Sequence, residues 1–86
     1  MKFNVEVTVE FKKGILDPQS QAIAGAIVSL GYESVKEISM SKRFNLVIVG
    51  DSQGEVEKTV EELCKKLLAN TVIENYQYAV ENSEGK

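Results

Sequence analysis

Apolar and polar residues alternate without interruption from Phe3 to Phe11. Phe3, Val5, Val7, Val9 and Phe11 fall on one side, and Asn4, Glu6, Thr8 and Glu10 on the other. A period of two predicts a strand with one buried and one wet face. Lys12-Lys13-Gly14 ends it, and Asp17-Pro18 opens a helix. The Asp carboxylate can accept from an orphan backbone N–H, and Pro in the first turn gives up only a donor that the helix does not use. Ala22, Ile23, Ala26, Ile27 and Leu30 then recur at helical spacing and predict a buried stripe. Gly31 supplies the left-handed residue that closes the helix.

Two more strand-like segments follow, Val35 to Met40 and Phe44 to Val49. The short polar link Ser41-Lys42-Arg43 between them predicts a hairpin. Ser52-Gln53-Gly54-Glu55 has the pattern of a capping box at the start of a second helix. On that helix Val56, Val60, Leu63, Cys64 and Leu67 form the inner face, while Glu57, Lys58, Glu61, Glu62, Lys65 and Lys66 form the outer one. Asn70 is a stop, and Thr71 to Val80 reads as a last strand with Tyr76 and Tyr78 on a common face. The order β-α-β-β-α-β predicts an α+β, ferredoxin-like sandwich. It has a four-stranded antiparallel sheet in the order 4-1-3-2 with both helices on one face. Asn4, Glu6, Thr8 and Glu10, joined by Val47 and Val49, should lie on the other face. The valines and the edge tyrosines point to a subunit interface there. The whole reads as one domain over residues 1–81 with a frayed polar tail over 82–86.

Composition narrows the chemistry. A chain of 86 residues is near the small end of what folds alone, so association between copies is a natural source of further stability. The net charge of −3 argues against nucleic acid as a partner. With no histidine, imidazole acid/base catalysis is excluded, and the single Cys64 allows neither an internal disulfide nor a zinc cluster. The alternating start of the chain is not a signal-peptide apolar region, and no apolar run approaches the roughly 18 residues of a membrane span. A cytoplasmic setting with no membrane contact is therefore expected.

This element order serves many functions, and residues must choose among them. A metal carrier needs a Cys-x-x-Cys loop after the first strand, where this chain has Lys12-Lys13-Gly14-Ile15-Leu16. An RNA-recognition sheet needs outward aromatics, and Phe3 and Phe11 belong to the inward alternation. Cys64 reads as a buried small hydrophobe, Lys42-Arg43 as a basic turn, and Asp17 as a helix cap. A regulatory module that binds a small amino acid survives as an alternative.

Lys13-Gly14-Ile15-Leu16-Asp17-Pro18-Gln19 is followed by Leu30-Gly31-Tyr32, Val35, Lys42, Cys64 and Leu67-Leu68-Ala69-Asn70 running into Val72-Ile73-Glu74-Asn75-Tyr76. This succession resembles the PurS family, the small subunit of phosphoribosylformylglycinamidine (FGAM) synthase, across nearly the whole chain. Ser20 stands where the family commonly has glycine, and Thr71 where it commonly has proline. The resemblance implies a non-catalytic subunit of a glutamine-dependent ligase of purine biosynthesis, which converts formylglycinamide ribonucleotide to the amidine with ATP. It implies as partners a synthetase subunit (PurL), a glutaminase subunit (PurQ) and further copies of itself, as a homodimer or a dimer of dimers. No cofactor is expected on this chain, ATP and magnesium being used by the assembled complex. Gly14, Asp17, Pro18, Gln19, Lys42 and Arg43 are the candidate interface positions.

Overall fold

The computed structural model describes residues 1–83. Three antiparallel strands form the sheet: β1 (Lys2–Phe11), β2 (Ser41–Val49) and β3 (Glu74–Asn82), in the order β2-β1-β3. The helices are α1 (Pro18–Ser29) and α2 (Gln53–Leu63), and α2 runs on into a π-turn over Cys64–Leu68. The predicted alternation of β1 holds. Phe3, Val5, Val7 and Val9 are buried on the inner face and meet Val56, Val60 and Cys64 of the second helical segment. Phe44, Leu46 and Ile48 of β2 and Tyr76, Tyr78 and Val80 of β3 are only partly buried around that cluster. The outer face carries Val47 and Val49 opposite Asn4 and Lys2, and both valines are exposed.

The structure corrects the four-stranded expectation. Val35 to Met40 forms no strand, and Ser41-Lys42-Arg43 is not a turn. Those three residues begin β2 and pair with Glu10, Val9 and Thr8. A hairpin turn there would forfeit this ladder with the central strand, so the longer β1–β2 pairing wins. The rest of the predicted order, with β1 between the other two strands, stands.

The second correction concerns α1. Its cap is as predicted: Asp17 accepts from the Gln19 backbone N–H at 3.0 Å and from the Ser20 hydroxyl at 2.8 Å. Its end is a Schellman motif, in which the Gly31 N–H donates to Val28 O and the Tyr32 N–H to Ile27 O, with Gly31 at φ 93°. Yet α1 does not lie on the sheet. It makes no substantial packing with any other element, and Ser20 is its only buried residue. Within the predicted stripe Leu30 is 73% exposed and Ile23 39%. No other element of its own chain packs substantially on the stripe. The molecule is correspondingly long, 53 × 30 × 15 Å with a radius of gyration of 17.0 Å. A compact chain of this length has about 12 Å.

The π-turn explains a third difference. Val56, Val60 and Cys64 keep the predicted inner face, but the Ala69 N–H donates to Cys64 O, five residues back, at 3.0 Å. One extra residue in the turn slips the helical phase. Leu67, expected inside, is 74% exposed, and Leu68 and Ala69 pack inward instead. Gly50, at the exit of β2, is the place where backbone and core touch. A Cβ there would come within 2.8 Å of a Val56 methyl. Gly50→Ala is therefore expected to lower stability by about 1–3 kcal/mol through overpacking, read as an earlier urea midpoint.

At the end of β3, Asn82 pairs with Phe3, and the Ser83 N–H donates to Lys2 O at 3.0 Å. Residues 84–86 of the expected tail lie outside the described residues.

Candidate functional site

Four of the six candidate interface residues meet at one corner of the sheet. A cleft of about 300 Å³ is lined by Asp17, Pro18 and Gln19 from the start of α1, Lys42 from β2 and Glu74 from β3. Gly14 lies beside it in a wider, open recess of about 820 Å³ between the loop before α1 and the segment leading into β2. Gly14 has φ 85°, and the Ile15 N–H donates to Lys12 O at 3.2 Å. These are the marks of a turn that requires a left-handed residue. Arg43 is not part of this corner. Alternation along β2 sends it to the outer face, where it pairs with Glu6 at 3.3 Å, an exposed contact worth under about 1 kcal/mol.

The residue that organises the corner, Glu74, was not among the candidates. It is 7% exposed. One carboxylate oxygen accepts from the Asn70 backbone N–H at 2.7 Å, and the other faces the Lys42 ammonium at 3.4 Å. Asn70 holds the approach to β3 with its own side chain, which accepts from the Val72 N–H at 3.1 Å. A polar residue at the first position of a strand reads as a boundary in sequence, and only the fold shows it clamping two strands and a turn. Glu74→Ala is expected to cost about 1–2 kcal/mol, because the part-buried Asn70 N–H loses its acceptor. Glu74→Gln keeps that acceptor and should cost less; equal losses in urea unfolding would contradict this account.

A second cluster lies between α2 and β3. Glu61, predicted on the wet face, accepts from the Tyr76 hydroxyl at 2.6 Å and the Tyr78 hydroxyl at 3.0 Å. The two phenol donors hold its carboxyl below the ordinary value of 4.5, and the Tyr76 phenol is pushed up to about 12, chiefly by that same bond. Burial raises the Cys64 thiol, as befits a core residue. The tyrosines thus belong to the inner face and not to an interface on the outer one. A lowered carboxylate contributes stability above its ordinary range that is lost as pH falls through the lowered value. A raised phenol contributes stability below pH 10.0 that is lost as pH climbs toward about 12. Glu61→Gln should flatten both limbs and return the Tyr76 ionisation, read by phenolate absorbance, toward 10. An unchanged alkaline titration would rule the clamp out.

Neither cluster pairs a nucleophile with a base. Among the described residues no group of three potential ligands could hold a metal ion, and no helix is long and apolar enough to cross a membrane. What the corner does is tie the start of β2 and the turn before β3 together through Glu74.

Residues 4–82 match the family model PurS, phosphoribosylformylglycinamidine (FGAM) synthase. The chain is 39% identical to the phosphoribosylformylglycinamidine synthase subunit PurS of Methanocaldococcus jannaschii, over 95% of this chain and 99% of that one. It superposes on the structure of Bacillus subtilis PurS with a TM-score of 0.81 and 40% identity, covering 93% of this chain and 99% of that one. It also has the fold of a chain in the PurLQS structure from Thermotoga maritima, with a TM-score of 0.80 at 21% identity and coverage of 93% and 98%. With a family match over nearly its whole length, the chain belongs to the PurS family, the small subunits of the FGAM synthase of purine biosynthesis.

Proposed function

We propose that this chain works as a non-catalytic homodimer that bridges the synthetase and glutaminase subunits of FGAM synthase, so that glutamine-derived ammonia reaches the synthetase without loss to solvent. The observation that carries the reading is the bare apolar stripe of α1. Ile23 and Leu30 of that stripe are exposed on a helix that makes no substantial packing with another element, while Phe44, Leu46 and Ile48 leave the β2 half of the inner face only partly covered. The vacancy and the helix match in kind, and a second copy supplies both at once. Exchange of α1 across a two-fold axis fills each vacancy with the other copy's helix and restores two helices over each sheet, the ferredoxin-like arrangement that one chain lacks. Pairing through the outer face is the competing geometry, and Val47 and Val49 are the residues it would bury.

The Thermotoga PurLQS structure, whose name joins the three subunits, supports the bridge. In this reading ATP and magnesium belong to the synthetase, and the complex is cytoplasmic. Reconstitution tests it. The synthetase and glutaminase subunits from the same source should make product from glutamine only when this chain is added, while free ammonia should support the synthetase without it. Equal glutamine-dependent rates with and without the chain would end the proposal.

The regulatory alternative requires the corner cleft to hold an amino-acid zwitterion. Lys42 and Glu74 already face each other there, and Glu74 is also bonded to Asn70. No free pair of opposite charges remains to receive a carboxylate and an ammonium. Titration calorimetry with glutamine or glycine is expected to give no saturable heat.

A further inference from the structure

Val35 to Met40 enters β2 at Ser41 without a turn or bend. The ladder with β1 reaches only that residue, Ser41 opposite Glu10, so β2 continues as an arm beyond the sheet. Among the described residues, 36–39 form no hydrogen bond with the rest of the chain. The arm is nonetheless not a polar linker. It carries Ile38, Val35 at 45% exposure and Met40 at 37%. Ser20, Gln21 and Ala24 of α1 line the same open recess as residues 37–40. Helix and arm therefore leave the sheet side by side, and neither is covered by its own chain.

The outer strand β2 offers an edge of matching kind. It is nine residues long without a proline, and from Phe44 to Val49 it carries no charge. Sheet edges are ordinarily blunted by charge, proline or a bulge, and this half of β2 is not. The Gly50 N–H donates to Met1 O at 3.0 Å, which fixes the phase of the ladder. Arg43, Asn45, Val47 and Val49 thus turn their N–H and C=O groups to the open edge.

The run 35–49 is its own complement. Two copies laid antiparallel about a two-fold axis normal to the sheet keep their inner faces together when residues of equal parity stand opposite. Centred on Lys42, the midpoint of the run, the pairing sets Ile38 against the partner's Leu46 and Met40 against its Phe44 on the inner face. Val35 meets the partner's Val49 on the outer one. Each of these pairs joins two apolar residues, and each Lys42 near the axis is already held by its own Glu74. A hairpin through Ser41-Lys42-Arg43 would make the same pairs within one chain; with those residues drawn into β2, only a second chain can make them. Lengths agree as well. The 12 residues of α1 span about 18 Å and residues 44–49 about 20 Å, so a helix carried across with the arm reaches along the partly covered Phe44, Leu46 and Ile48.

We propose that Val35 to Met40 cross to a second copy and pair along the open edge of its β2 as the fourth strand of its sheet. The proposal rests on the dimer reading above and adds a strand to the helix exchanged there. Residue-resolved amide hydrogen exchange of the full chain, with sedimentation, tests it. In the dimer the N–H groups of Glu37, Ser39, Asn45 and Val47 should exchange at least about a hundredfold more slowly than those of Lys36 and Ile38, which face away from the partner. Ser39→Pro, at a position with no hydrogen bond to lose at home, should weaken the dimer about tenfold or more, and Lys36→Pro should stay within about threefold. A dimer in which Glu37 and Ser39 exchange as fast as Lys36 overturns the strand exchange alone. Protection of the same amides in a monomer places the hairpin within one chain and overturns it too. A monomer without that protection defeats the dimer reading itself.

Discussion

Ile23→Asp is expected to convert the homodimer into monomers. The substitution removes an apolar side chain worth about 1.5–3 kcal/mol when buried and places a polar group against the β2 half of the partner's sheet, at a further cost of about 1–3 kcal/mol. Two-fold exchange counts each site twice. The total, about 5–12 kcal/mol, corresponds to a dimer weakened by at least roughly 10³-fold. Within a lone chain the same change touches little, since α1 packs on no other element, and its helix-propensity cost is under about 1 kcal/mol. Sedimentation equilibrium distinguishes the outcomes. A monomer with intact far-ultraviolet dichroism supports the exchanged helix, and a dimer of parental affinity rules it out. Val47→Asp on the outer face is the matched test of the competing geometry and should leave the dimer intact.

Phe3→Ala should have the largest effect on folding itself. Phe3 is 1% exposed in the central strand, in a core of eight buried apolar residues among those described. Truncating a buried phenylalanine costs about 3–5 kcal/mol, because the cavity it leaves relaxes only in part. A domain of this length has total stability on the order of 4–13 kcal/mol. The variant should therefore lose about a quarter or more of its stability and melt with poor cooperativity in a thermal scan. A midpoint within a few degrees of the parent's would show that the core extends beyond the residues of one chain more than this account allows.

The sequence made β1 legible because both of its faces are defined within the chain, one by α2 and one by solvent. It made the caps legible because Asp17 and Ser52 act within three residues of themselves. The missing fourth strand was not legible. Val35 to Met40 has strand-like composition, but pairing depends on competition, and Ser41 to Arg43 gain more from β1 than a hairpin would return. The π-turn was hidden for a related reason: a slip of one residue leaves Leu67 and Leu68 equally apolar, and only the backbone says which turns inward. Of the candidate corner, Asp17 and Pro18 were legible from cap chemistry, whereas Gln19 and Lys42 came with the family resemblance, Lys42 having been read into a turn that is in fact strand. Arg43 was lost to the parity of a strand whose register was unknown, and Glu74 was missed because its partners are 32 residues apart in one case and a backbone N–H in the other. The stripe on α1 was read as a surface buried at home, and in its own chain it is not.

That stripe has a consequence for the protein in the cell. When a helix finds its cover on another copy, thermal stability is no longer a property of the chain and rises with its concentration. A copy made in excess of its mates, or diluted during purification, exposes an unprotected helix between the two glycine turns, Gly14 and Gly31. Such a segment is an easy target for proteases. Supply of this small subunit would then be matched to demand by selective survival: paired copies persist and orphans are cleared.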